Sequence, residues 1–171
     1  MPYPGIQLFD LKGRTALVTG GSKGLGKAIA AGFASAGASV VLVSRHGEEA
    51  RSSAAEIATD HGGNALGLEA DITVPAQIEA MISSARASFG SVDILVNSAG
   101  INTRGSIDEI TLEQFQELMQ INVTGTWLCC KAAIPFMRAA GWGRIINLSS
   151  AIGLVLSLIH ISEPTRQEAI S

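Results

Sequence analysis

Five short apolar runs recur along this chain: "TALVT" (Thr15–Thr19), "SVVLVS" (Ser39–Ser44), "ALGLEA" (Ala65–Ala70), "DILVN" (Asp93–Asn97) and "RIINLS" (Arg144–Ser149). Their apolar residues are continuous and do not alternate with polar ones, as expected of strands buried on both faces. Longer helical patterns separate them at Gly24–Ala36, Glu48–His61, Pro75–Phe89 and Leu112–Ala140. In the third of these, Ile78, Met81, Ile82 and Ala85 repeat at helical spacing and make one apolar face. The fourth is expected to be two segments, because Asn122–Gly125 interrupts it and Pro135 disturbs its last turns. Strand and helix in alternation predict an α/β fold, a parallel sheet covered by helices on both sides.

The rest of the composition narrows the partner. At 171 residues, 47% hydrophobic and 16% charged, the chain suits one domain with a sizeable core. Its net charge of -3, without long runs of like charge, offers no basic surface for nucleic acid and points to a small-molecule ligand. Cys129 and Cys130 are adjacent in an apolar helical stretch, where core packing is the expected role. There is no signal-peptide pattern and no apolar run of about 18 residues, so the expectation is a cytoplasmic protein without a membrane partner. "NVT" at Asn122 matches a glycosylation sequon, but without a secretory signal it is expected to carry no glycan. Met1–Lys12 is a Pro- and Gly-containing lead-in, and no repeat or second domain is evident.

"TGGSKGLG", Thr19–Gly26, follows the first strand directly and opens the first helix. Glycines at that junction let the backbone turn sharply and approach a pyrophosphate, which the helix N-terminus favours through unpaired N–H groups and its dipole. Such a turn can be only a turn; the strand–loop–helix context makes it a nucleotide site and the sheet a Rossmann-like, doubly wound one. An enzyme selecting NAD usually carries an acidic residue at the end of the second strand. This chain has Ser44 and Arg45 there, with Lys23 in the glycine loop. A hydroxyl and two cations suit a 2′-phosphate, so NADP is expected ahead of NAD; the competing reading makes Arg45 a solvated loop residue. Asp71 and Ile72, then "NSAG" at Asn97–Gly100, stand at the carboxyl ends of the third and fourth strands, where ligands bind in open α/β sheets. Read without that context, they are a helix-preceding cap and a small-residue turn.

In their order, TGxxxGxG at Thr19, D-I at Asp71, N-S-A-G at Asn97, N-V-T-G at Asn122 and I-N-L-S-S ending at Ser150 resemble the motifs of the short-chain dehydrogenase/reductase family over about Phe9–Val155. "NSAG" departs slightly from the commoner N-N-A-G. The resemblance implies that Gly20, Ser22, Lys23, Gly24, Leu25 and Gly26 hold the diphosphate and adenine ribose. It further implies that Ser44 and Arg45 select NADP, that Asp71 and Ile72 border adenine, and that Asn97, Ala99 and Gly100 line the nicotinamide side. Ser150 would hydrogen-bond a substrate carbonyl, and Asn122 would fix a helix break and a relay water. It also implies the strand order 3-2-1-4-5-6-7, hydride exchange between a ketone and a secondary alcohol, and a homodimer or homotetramer. "LFDLKGRTALVTGGSKGLG" is similar to gluconate 5-dehydrogenase-like members, with 3-oxoacyl-carrier-protein reductases close behind.

The family's catalytic team also holds a tyrosine and a lysine, which its spacing from Ser150 would put at Glu163 and Gln167. An unperturbed phenol, with a pKa near ~10, needs such a cation to act at neutral pH. Tyr3, the only tyrosine, lies in the lead-in. Leu156–Arg166 instead matches the in-frame translation of a transposase-type sequencing adapter, and Ile170 and Ser171 match its next bases. Residues 1–155 are therefore expected to be an NADP-binding domain truncated after the fifth strand, and 156–171 a non-native tail. His160, within that tail, is proposed for no metal or base role, and no metal site is expected. The native continuation separates two classes of function: Y-x-x-x-K after Ser150 would mark an enzyme, and its absence a dinucleotide-binding module without catalysis. Asn102 and Arg104 could meet a polar or acidic substrate or be solvated loop residues.

Overall fold

The computed structural model describes residues 9–150; the lead-in before Phe9 and the tail, with Glu163, Gln167 and the adapter-like segment, lie outside the described residues. Five strands, β1 (Thr15–Thr19), β2 (Ser39–Ser44), β3 (Ala65–Glu69), β4 (Ile94–Asn97) and β5 (Arg144–Asn147), form one sheet in the order β3-β2-β1-β4-β5. All four pairings are parallel, with Leu17 level with Val41 on one side and Leu95 on the other. The helices between them are α1 (Gly24–Ser35), α2 (Gly47–His61), α3 (Pro75–Phe89), α4 (Leu112–Met119) and α5 (Thr126–Ala139).

The unbroken apolar runs resolve by residue parity into two cores. Leu17, Val41, Val43 and Leu95 face the layer built by Ile78, Met81, Ile82 and Ala85 of α3 and Cys129, Ala133 and Met137 of α5. Ala16, Val18, Val40, Leu42, Ile94 and Val96 face the opposite way, onto Ala30 and Ala34 of α1 and Ala54 and Ile57 of α2. Alanines on α1 and α2 let those helices sit close to the sheet. Each buried valine or leucine contributes roughly 1.5–3 kcal/mol relative to exposure, so the central strands hold the fold together.

The outer strands differ from the expectation of burial on both faces. β3 is only half-buried, and β5 is largely exposed, with Ile146 at 42%. Composition reports how apolar a strand is, not whether a neighbour covers it; among the described residues β3 and β5 each pair on one side only.

The long helical region also departs from a simple two-segment reading. Gln120–Gly125 is a π-helical turn joining α4 to α5 without a break in the helical path. Pro135 lies inside α5, which continues to Ala139. Proline removes one backbone donor but has a helix-compatible φ, and Ala133 and Met137, packed on the sheet, flank it. Cys129 belongs to that core; burial, with Cys130 adjacent, pushes its thiol up to about 12. Cys130 is half-buried against the same cluster, and both cysteines are free thiols.

Candidate functional site

The strand order reverses direction between β2-β1 and β4-β5, so the loops leaving β1 and β4 diverge and open a crevice at their carboxyl ends. A cleft of about 650 Å3 lies there, with lining from the carboxyl ends of all five strands, including Gly20, Ser44, Asp71, Ala99 and Ser149. That volume is within the usual range for a small-molecule site.

Glycine at two positions lets the loops at the edge of the cleft pack backbone against backbone. Gly20 turns the chain out of β1 with φ 65°, and a Cβ there would stand 2.8 Å from the Ala99 Cα. At Gly26, in the first turn of α1, a Cβ would come within 2.2 Å of the Gly20 carbonyl oxygen. The loop therefore folds flat across the end of α1. Lys23 precedes the helix in an extended conformation, no side chain caps it, and its first turn has no acidic residue. Backbone donors and the positive end of the helix dipole are left to face the cleft, an arrangement that suits a diphosphate.

Thr19 fastens this loop to the next one. Its fully buried hydroxyl donates to the Val96 carbonyl at 3.3 Å and accepts from the Ser98 and Ala99 N–H groups, both at 3.2 Å. In the sequence Thr19 counts only as the first letter of the motif; a β-branched hydroxyl next to a glycine turn was the available signal. Ser22 is held from α2, where Ser53 donates to its carbonyl at 2.7 Å and Glu49 accepts from its hydroxyl at 3.3 Å. Glu49 also lies 3.9 Å from the Lys23 ammonium, and nothing in the sequence motif announced it.

At the far end of the cleft, Ser44 accepts the His46 N–H at 3.1 Å, while Arg45 is exposed and makes no hydrogen bond among the described residues. Asp71 accepts from the Thr73 N–H at 2.8 Å and the Thr73 hydroxyl at 2.7 Å, and its own N–H donates to Gln77. Burial raises the Asp71 carboxyl, but the two Thr73 bonds and the nearby Arg45 charge outweigh it and hold the group below the ordinary carboxylate range. Ile72 lines the cleft and packs on Gly125, where a Cβ would stand 2.8 Å from its Cδ1.

Of the residues singled out from sequence, Gly20, Ser22, Lys23, Leu25, Gly26, Ser44, Arg45, Asp71, Ile72, Ala99 and Gly100 come together as the lining. Gly24, at φ 57°, shapes the helix start without lining the cleft. Asn97 stands apart. Its side chain is buried in the sheet, donating to Asn147 at 2.8 Å and to the Cys130 sulfur at 3.4 Å, and its Oδ1 has no partner among the described residues. Asn122 sits in the π-helical turn, with its amide spent on one backbone: it accepts the Ile101 N–H at 2.9 Å and donates to the Ile101 carbonyl at 2.8 Å. It thereby fixes the loop that presents Ile101 and Asn102 to the cleft. Ser150 is exposed just beyond β5, past Leu148 and Ser149, which do line the cleft.

Residues 14–161 match the short chain dehydrogenase family. The chain belongs to that family. The match runs into the adapter-like segment. Among curated relatives, the chain is 36% identical over 154 residues to D-threitol dehydrogenase of Mycolicibacterium smegmatis, covering 90% of this chain and 59% of that one. It is 38% identical over 163 residues to glucose 1-dehydrogenase 2 of Bacillus subtilis, covering 94% and 63%. It is 33% identical over 160 residues to a 3-oxoacyl-acyl-carrier-protein reductase of Aquifex aeolicus, covering 94% and 64%. The crystal structure of a short-chain type dehydrogenase/reductase from Mycobacterium marinum matches with a TM-score of 0.82 at 39% identity, over 86% of this chain and 60% of that one. The chain thus spans about three-fifths of the length of the short-chain dehydrogenases it matches.

Proposed function

We propose that this protein is an NADP-dependent oxidoreductase that interconverts a carbonyl and a secondary alcohol. The observation that carries this reading is the glycine cradle between β1 and α1, in a family whose matching members are named as dehydrogenases and reductases. A nicotinamide dinucleotide fits the donor set: a glycine turn packed closely enough at Gly20 and Gly26 to present its backbone, an uncapped helix end for the diphosphate, and Ser44, Arg45 and Lys23 for a 2′-phosphate. When bound, it would accept or donate the hydride. Gly20, Ser22, Leu25 and Gly26 hold its phosphates, with Gly24 shaping the helix start beside them, Asp71 and Ile72 border the adenine, and Ala99 and Gly100 border the nicotinamide side. Asn97 contributes from behind, by tying β4 to β5 through Asn147.

Ser150 hydrogen-bonds the substrate carbonyl, and Asn122 holds the π-helical turn and the Ile101 loop in place. Protonation of the carbonyl oxygen needs a tyrosine with a neighbouring lysine, and the residues at that spacing are Glu163 and Gln167. Neither can replace them, so the 171-residue chain is proposed to bind dinucleotide without turning substrate over, with Leu156–Ser171 as non-native sequence. The relatives' named substrates range over polyol, sugar and acyl-carrier-protein thioester, so no substrate is assigned.

A homodimer or homotetramer in the cytoplasm completes the proposal. Leu112, Phe115, Met119, Val123 and Trp127 are exposed at steps of three and four along α4, the π-helical turn and α5, forming an apolar stripe. No helix among the described residues is long and apolar enough to cross a membrane, and no group of three metal-ligating side chains gathers among them.

The experiment is NADPH oxidation with a panel of ketones, run on this chain and on a version in which the residues after Val155 are replaced by a family segment carrying Tyr-x-x-x-Lys at the spacing of Glu163 and Gln167. Binding by both and turnover only by the second is expected. Turnover by the first would overturn the role of the missing pair, and binding without turnover by the second would favour a dinucleotide-binding module.

A further inference from the structure

The two cations on which NADP selection rests are not equally available. Arg45 is exposed, makes no hydrogen bond among the described residues and meets the Asp71 carboxyl only as a nearby charge, whereas the Lys23 ammonium stands 3.9 Å from Glu49, within ion-pair distance. Glu49 lies in the first turn of α2, outside the cleft lining, and its carboxylate is steadied by the Ser22 hydroxyl at 3.3 Å. One carboxylate therefore touches two residues of the phosphate loop. We propose that Glu49 is a specificity-determining residue that lowers the preference for a 2′-phosphate, by holding Lys23 and repelling the incoming dianion. This rests on the NADP reading above.

The physical reason is competition. A phosphate entering beside Lys23 meets an ammonium already paired and a second negative charge behind it. The Lys23 and Glu49 side chains are 78% and 46% exposed, so solvent screens the pair and the effect is confined to a few-fold. Charge and positioning can be separated, because glutamine at this site keeps an oxygen to accept from Ser22 and loses only the charge.

The test is calorimetric titration of the 171-residue protein with adenosine 2′,5′-bisphosphate and with adenosine 5′-monophosphate at low salt. Glu49→Gln should tighten the bisphosphate two- to fivefold and leave the monophosphate where it was, and the gain should fade at about 0.5 M salt. Glu49→Asp, which keeps the charge, should retain most of the wild-type ratio. In a Lys23→Met background the gain from Glu49→Gln should shrink. If Glu49→Gln weakens both ligands equally, the residue only positions the loop and the inference is overturned. An unchanged ratio in a wild-type background that does prefer the bisphosphate overturns it as well, with the NADP reading intact. A wild type with no preference overturns the NADP reading and this inference together.

Discussion

The two ends of this sheet are built from the same strands and do opposite things with their polar groups. At the amino end, Asp93 is buried and fully used: it takes the Arg14 guanidinium at 3.2 Å, the Thr15 N–H at 2.9 Å and the Ser91 hydroxyl. Trp142 lies under both Arg14, at 3.9 Å, and Arg144, at 4.9 Å. At the carboxyl end the helix N-terminus is uncapped, Arg45 makes no hydrogen bond among the described residues, and glycines let the loops after β1 and β4 approach backbone to backbone. Polar groups satisfied within the chain hold the sheet together; polar groups turned toward a cleft await a ligand. Substitutions at the amino end should therefore change stability and leave ligand choice alone, and those at the carboxyl end should change dinucleotide binding more than stability.

The largest expected effect is Asp93→Ala, which leaves a buried backbone donor unpaired and strips Arg14 of its partner. A loss on the order of 3 kcal/mol is expected, read as a lower urea midpoint, with the ratio of NADPH to NADH affinity unchanged. A changed ratio would break the division between the two ends. Gly26→Ala comes next. With its Cβ 2.2 Å from the Gly20 carbonyl, either the loop or α1 must shift. Overpacking of this kind costs about 1–3 kcal/mol, and dinucleotide affinity should fall more steeply than stability does. Equal losses in both would mean that the glycine serves packing alone.

Asp71→Asn is the smallest. The folded carboxyl sits below its ordinary range, so its contribution is present above about pH 4, its unfolded value, and is lost as pH falls through the lower folded one. Wild type should exceed the variant slightly at pH 7, and the gap should close in acid. A gap that widens toward low pH would show that the carboxyl is raised and not lowered.

How much of the molecule is legible in its sequence follows the same division. β1, β2 and β4 are legible because burial on both faces imposes continuous apolar sequence, and the Gly20 and Gly26 positions because backbone approach tolerates nothing larger. β5 is legible as a strand, but its exposure is not, since Ile145 and Ile146 look alike whether or not a neighbour covers them. The π-helical turn escapes because Asn122 and Gly125 read as a break, while a six-residue turn with wider hydrogen bonding carries the chain through. Its place in a motif assigns Asn97 to the cleft, yet β4 ends with that side chain turned toward β5. Glu49 leaves no trace in the sequence, because its link to Ser22 spans two elements and has no spacing rule.

Central to all of this is the proposal that the carboxyl-end cleft selects a 2′-phosphorylated dinucleotide through Arg45. Calorimetric titration of NADPH and NADH against wild type and Arg45→Asp tests this most directly. NADPH should bind wild type more tightly, and the substitution should narrow or invert the preference at a cost to NADPH on the order of 1.5–3 kcal/mol, with the melting temperature lowered only slightly by the new charge near Asp71. Equal affinity for the two dinucleotides in wild type, or a preference that survives Arg45→Asp undiminished, would contradict it.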